Sequence, residues 1–168
     1  MIIRMLLDLP AEAAHVSLCR GLAQTLLTEM GVVREDVETV ELIVGEICAN
    51  AVKHAYAHPG ERYEVHLDFG KDQVVISVRD HGKGADPRLF YRDPLEFREG
   101  GRGILLVQAL ADRFDYMVED GTTINAAVKL HYASPEMAAR AARLEGSRSG
   151  AGSDAPAIRL ERTEAPTS

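Results

Sequence analysis

Residues 41–56, ELIVGEICANAVKHAY, decide the reading of this chain. With the residues before them, Val37, Val40, Val44, Ile47, Cys48, Ala51 and Ala55 recur at three- and four-residue spacings, an apolar stripe of helical period. Glu46, Asn50 and His54 follow each other every four residues and share a polar stripe beside it. A carboxylate one turn from an amide suits phosphate chemistry. The Glu can take a proton from an attacking hydroxyl. The Asn oxygen can ligate Mg²⁺, a hard ion that keeps several waters and takes few protein ligands. Alone, Glu-x-x-x-Asn is equally the polar face of an amphipathic helix. His54 reads more simply as a capping or core histidine, and Cys48 as core.

Three further segments supply the context. Arg79-Asp80-His81-Gly82-Lys83-Gly84 closes an alternating strand with Asp-x-Gly-x-Gly. An Asp at a strand end can accept a hydrogen bond from an exocyclic amine such as adenine N6. Gly82 and Gly84 let backbone approach a flat base and let the following segment hinge. Downstream, Arg98-Glu99-Gly100-Gly101-Arg102-Gly103-Ile104 opens directly into a helix, and free N–H groups at a helix start form an anion site. Arg98 and Arg102 can add charge-assisted contacts there, or be solvated surface arginines. Finally Gly121-Thr122-Thr123 begins the last strand, where a Thr hydroxyl can help Asp80 hold a base. A plain hairpin turn also accounts for that glycine.

Period-two alternation marks strands at Tyr63–Phe69 and Val74–Val78, around the turn Gly70-Lys71-Asp72, and at Phe114–Val118 and Ile124–Leu130, around Asp120-Gly121. Ile2–Leu9 is a fifth. Helical patterns cover Pro10–Met30, Arg34–Tyr56 and Gly103–Ala111, with Pro10 suited to a first turn and Gly31 to a stop. Strands with one apolar face need helices to cover it. The expected fold is α+β, a two-layer α/β sandwich with one mixed, mainly antiparallel sheet covered on one face by helices. Pro135–Gly146 reads as a short, loosely attached helix. Ser147–Ser168 carries only Ile158 and Leu160 as large apolar residues, too few to offset ordering entropy, and reads as a disordered tail.

The 168 residues suit one domain, and 46% hydrophobic with 27% charged residues is an ordinary globular balance. No apolar run approaches the roughly 20 residues that span a bilayer. The first residues lack a basic segment and a cleavage site, so export is not expected. Cys19 and Cys48 form no metal or redox spacing and read as reduced thiols of a cytoplasmic protein. A net charge of −7 argues against direct nucleic-acid binding.

The four segments in this order resemble the GHKL nucleotide-binding superfamily, the Bergerat-fold or histidine-kinase-like ATPases. Within it, ELIVGEICANAVKHAY, RDHGKG, GGRGILLVQALAD and GTTI are most similar to bacterial anti-sigma factor serine/threonine protein kinases. The resemblance spans residues 1–132. It implies ATP and Mg²⁺ as cofactors, Glu46 as catalytic base and Asn50 as the Mg²⁺ ligand. It further implies Asp80 as the adenine reader, a pocket shaped by Gly82 and Gly84, phosphate contacts from Gly101, Arg102 and Gly103, and assistance from Thr122. Ala85–Gly100 would form a lid over the nucleotide. The implied partners are a sigma factor, held away from polymerase, and a STAS-domain anti-anti-sigma protein phosphorylated on serine; a homodimer is also implied. Some members carry an arginine where this chain has Glu99, with Arg98 one step earlier. A nucleotide-dependent binding module without kinase turnover is the alternative. A sensor histidine kinase is disfavoured because no helical hairpin with an acceptor His precedes the domain, and the lack of GxxxxGK[ST] excludes a P-loop ATPase.

Overall fold

The computed structural model describes residues 2–55, 60–82 and 102–146. In chain order they form β1 (Ile3–Pro10), α1 (Ala13–Glu29), α2 (Arg34–Ala55), β2 (Arg62–Phe69), β3 (Gln73–Asp80), α3 (Arg102–Leu110), β4 (Arg113–Met117), β5 (Thr122–Lys129) and α4 (Pro135–Gly146). The expectations for Tyr56, Gly84, Ala85–Gly100, Gly101 and Ser147–Ser168 lie outside the described residues.

The strands form one sheet of order β1-β2-β3-β5-β4. Alternation sets its two faces. Tyr63, Val65, Leu67 and Phe69 of β2 align with Val78, Ile76 and Val74 of β3 and with Ile124, Ala126 and Val128 of β5, all buried against the helices. Burying each large side chain contributes about 1.5–3 kcal/mol. The opposite face carries polar groups such as the Arg4–Asp68 ion pair, at 2.7 Å. Each of the four strand pairings is antiparallel. The sheet is thus antiparallel throughout, where a mixed, mainly antiparallel one was expected; β5 lies between β3 and β4 and pairs with both.

Helix α2 is the centre of the helical layer, packing on α1, α3, β2, β3 and β5. Its buried face is Val37, Val40, Ile43, Val44, Ile47, Cys48, Ala51 and Val52. A helix clamped on so many sides fixes the direction of the stripe beside its apolar face. Cys19 of α1 and Cys48 of α2 are free and buried. Helix α4 is held lightly, with Ala141 its buried residue. Among the described residues no helix is long and apolar enough to cross a membrane.

One boundary differs from expectation. Pro10 ends β1 opposite Arg62 instead of opening α1, which starts at Ala13. β1 is an edge strand, where a residue without an N–H is tolerated because a ladder bond is needed on one side only.

The β4–β5 turn brings the last strand to the end of β3. Asp120 has φ 49° and Gly121 φ 115°. A Cβ on Gly121 would collide with the Asp80 carbonyl oxygen and lie 2.8 Å from its carbon and 2.9 Å from His81 Cα. The glycine thus serves both the turn and the close approach of β5 to Asp80. We expect Gly121→Ala to lower unfolding stability by about 2–3 kcal/mol in denaturant titration, the range for combined backbone strain and steric conflict. A change within experimental error would show that the turn adapts.

Candidate functional site

Asp80 is the last residue of β3, paired with Tyr63 of β2 and Thr122 of β5, and its relative exposure is 2%. A carboxylate so buried needs donors. Two backbone N–H groups supply them: Gly82 donates to Oδ1 at 3.0 Å and Thr122 to the same oxygen at 3.3 Å. Both bonds fall on Oδ1, which leaves Oδ2 for an outside donor. Burial pushes the Asp80 pKa above its ordinary value, opposed by these two hydrogen bonds and then by the field of His54 and His81. The site is therefore a buried acceptor at the end of the central strand.

The C-terminal end of α2 meets this loop. The His54 carbonyl oxygen lies 2.9 Å from where a Gly82 side chain would begin, so the glycine permits the contact. His54 is thus adjacent to the Asp80 site through its backbone, a placement that sequence reading gave to capping or core packing.

The other end of the stripe reaches α3. The Glu46 carboxylate abuts Gly103 in the first helical turn: a Cβ there would overlap Oε2 and lie 3.1 Å from Cδ. Helix α3 has no acidic residue in its first turn. It starts instead with the exposed Arg102, a cation at the positive end of the helix dipole. Glu46 brings the missing negative charge from a neighbouring helix. From Glu46 to His54 the stripe rises about 12 Å at 1.5 Å per residue, from the start of α3 to the loop after Asp80.

Asn50 lies between them. Its Nδ2 is buried and has no hydrogen-bond partner among the described residues. An amide so placed calls for an external group, and rotation about its terminal torsion presents either the NH₂ or the oxygen at that point. Among the described residues no group of three or more His, Cys, Asp or Glu is arranged to hold a metal.

Of the residues singled out from sequence, Asp80, Gly82 and Thr122 meet at the end of β3, and Gly103 meets Glu46 in the first turn of α3, which Arg102 opens. Thr122, at 1% exposure, reaches Asp80 through its backbone N–H. Gly84 and Gly101 lie outside the described residues. Sequence reasoning missed the second role of Gly121, against Asp80; the signal available was a small residue opposite a strand-end acid.

The family model for the histidine kinase-like ATPase domain matches residues 9–128. The chain is 34% identical over 128 residues to the serine-protein kinase RsbW of Staphylococcus epidermidis, covering 70% of this chain and 80% of that protein. It is 32% identical over 130 residues to the serine-protein kinase RsbW of Bacillus pumilus, again covering 70% and 80%. Among solved structures, the RsbU and RsbW domains of Rv1364c from Mycobacterium tuberculosis superpose with a TM-score of 0.58 at 21% identity. That match covers 76% of this chain and 32% of the other, and supports the fold.

The raised pKa of Asp80 has a thermodynamic consequence. An acid with a higher pKa in the folded state binds its proton more tightly there, so stability falls as pH rises through the folded value. We expect wild type to lose stability relative to Asp80→Asn as pH climbs from about the unshifted 3.8 through the raised value, then to hold a constant difference. Denaturant midpoints of both proteins across that range measure it. A difference independent of pH would show that Asp80 titrates normally.

Proposed function

Because the chain belongs to the histidine kinase-like ATPase (GHKL) family, in its branch of anti-sigma serine-protein kinases, we propose that it transfers the γ-phosphoryl group of ATP to a serine of a protein partner. One observation carries this reading: two carboxylates stand at opposite ends of a single helical stripe, Asp80 buried beside His54 and Glu46 against the start of α3. The first suits the amine of a nucleobase, and the second suits a proton acceptor beside phosphates held at the start of α3. Residues 1–132 are the domain that performs the reaction.

The residues fit a magnesium nucleotide. Asp80 offers Oδ2 to the adenine amine while Oδ1 stays tied to Gly82 and Thr122. The Thr122 side chain assists at the same base, and Gly82 with Gly84 gives the base room. Asn50, whose amide is buried and unsatisfied at Nδ2, would hold Mg²⁺ through its oxygen. The N–H groups at the start of α3, with Gly101, Arg102 and Gly103, receive phosphate oxygens. Bound ATP with Mg²⁺ supplies a transferable phosphoryl group whose charge is partly neutralised. Glu46 then accepts the serine hydroxyl proton as that oxygen bonds to phosphorus and the bond to the ADP oxygen breaks.

The acceptor serine belongs to a STAS-domain anti-anti-sigma protein, and the same chain sequesters a sigma factor. Similarity to the RsbW kinases supports both roles. The setting is cytoplasmic, without a membrane or direct nucleic-acid contact, in keeping with a net charge of −7.

The test is phosphoryl transfer from labelled ATP to the STAS-domain protein, with nucleotide affinity measured in parallel. Glu46→Gln is expected to reduce transfer about 10²- to 10⁴-fold, the usual contribution of a general base, with nucleotide binding retained. Asp80→Ala is expected to abolish nucleotide binding. Complex formation without labelling by wild type would favour a binding module. Equal loss of nucleotide affinity in both variants would contradict the division of roles.

A further inference from the structure

The glycine nearest to Glu46 invites a different role from the one that family resemblance gives it. A Cβ at Gly103 would overlap Glu46 Oε2, with Glu46 Cδ at 3.1 Å and Glu46 Cβ at 3.7 Å. The three atoms nearest that point all belong to Glu46, a side chain from a different helix.

The backbones on either side cannot easily move apart. Ile47, next to Glu46 on α2, is fully buried, and Ile104 and Val107 of α3 are anchored in the same core. The movable part is the end of the Glu46 side chain. A methyl group at position 103 would therefore displace the carboxylate and leave both helices in place.

We infer that Gly103 is a positioning residue for Glu46: its missing side chain seats the carboxylate at the start of α3. This inference rests on the reading of Glu46 as the base. The phosphate contact proposed above belongs to the Gly103 backbone N–H, which an alanine keeps, whereas seating Glu46 depends on the absent side chain. A displaced base costs rate at saturating nucleotide, whereas a damaged phosphate site costs affinity.

The experiment compares wild type, Gly103→Ala, Glu46→Asp and the double variant by thermal unfolding, nucleotide titration with ADP, and single-turnover phosphoryl transfer to the STAS-domain protein. Alanine favours a helix over glycine, so Gly103→Ala is expected to keep or raise the unfolding midpoint. Its nucleotide Kd should stay within about threefold of wild type while transfer falls about 100-fold, the scale of an ångström-sized misplacement. Glu46→Asp shortens the side chain by one methylene and slows the wild-type background. In the Gly103→Ala background it is expected to raise the rate several-fold, because the shorter acid clears the methyl group.

Parallel loss of affinity and transfer without rescue would overturn the inference in favour of a phosphate role. So would unchanged transfer in Gly103→Ala. If Gly103→Ala fails to fold, recovery of folding in the double variant supports the contact, and failure of both overturns it. The underlying reading fails separately: Glu46→Gln with undiminished transfer removes the base itself.

Discussion

Asp80 keeps a carboxylate at 2% exposure because two backbone N–H groups from either side of it converge on one oxygen. One donor, Gly82, follows Asp80 in the chain; the other, Thr122, comes from the neighbouring strand. That convergence requires β5 to lie beside β3 with Thr122 opposite Asp80, and it requires Gly121 to turn tightly against the Asp80 backbone. Strand order, turn chemistry and the site are one constraint. Leaving Asp80 unpaired at that depth would cost several kcal/mol, comparable with much of a domain's stability.

The second constraint is the burial of α2. Its apolar face is held by the sheet and flanked by α1 and α3. The adjacent stripe therefore cannot rotate, and Glu46, Asn50 and His54 stay at fixed four-residue intervals along it. Electrostatics follows from this geometry. Arg102 occupies a helix start where a cation is unfavourable on its own, and the Glu46 carboxylate offsets it from the neighbouring helix. In the proposed reaction the N–H groups of this helix start would meet phosphates with Glu46 as the base beside them, phosphoryl transfer by positioning and charge stabilisation.

Much of this was legible in the sequence because the relevant patterns are local. Alternation in Tyr63–Phe69 and Val74–Val78 gave the central hairpin, and the three- and four-residue spacing of apolar residues gave α2. The strand-end Asp-x-Gly and the glycine-led helix start were also visible as motifs. Other features depend on contacts distant in the chain. The placement of β5 between β3 and β4 is one, since no local pattern encodes strand order. Pro10 carries equal local preference for a first helical turn and a strand end; pairing with Arg62 decided for the strand. The meeting of Glu46 with Gly103 joins two helices, so spacing within either one could not reveal it.

The central claim is that a buried carboxylate selects a purine by its exocyclic amine. Calorimetric titration with ATP and with ITP, which carries an oxo group in place of that amine, tests it directly. The account predicts tight binding of ATP and a loss of at least about 100-fold for ITP, since Asp80 would face an acceptor instead of a donor. Equal affinity for the two nucleotides would contradict it.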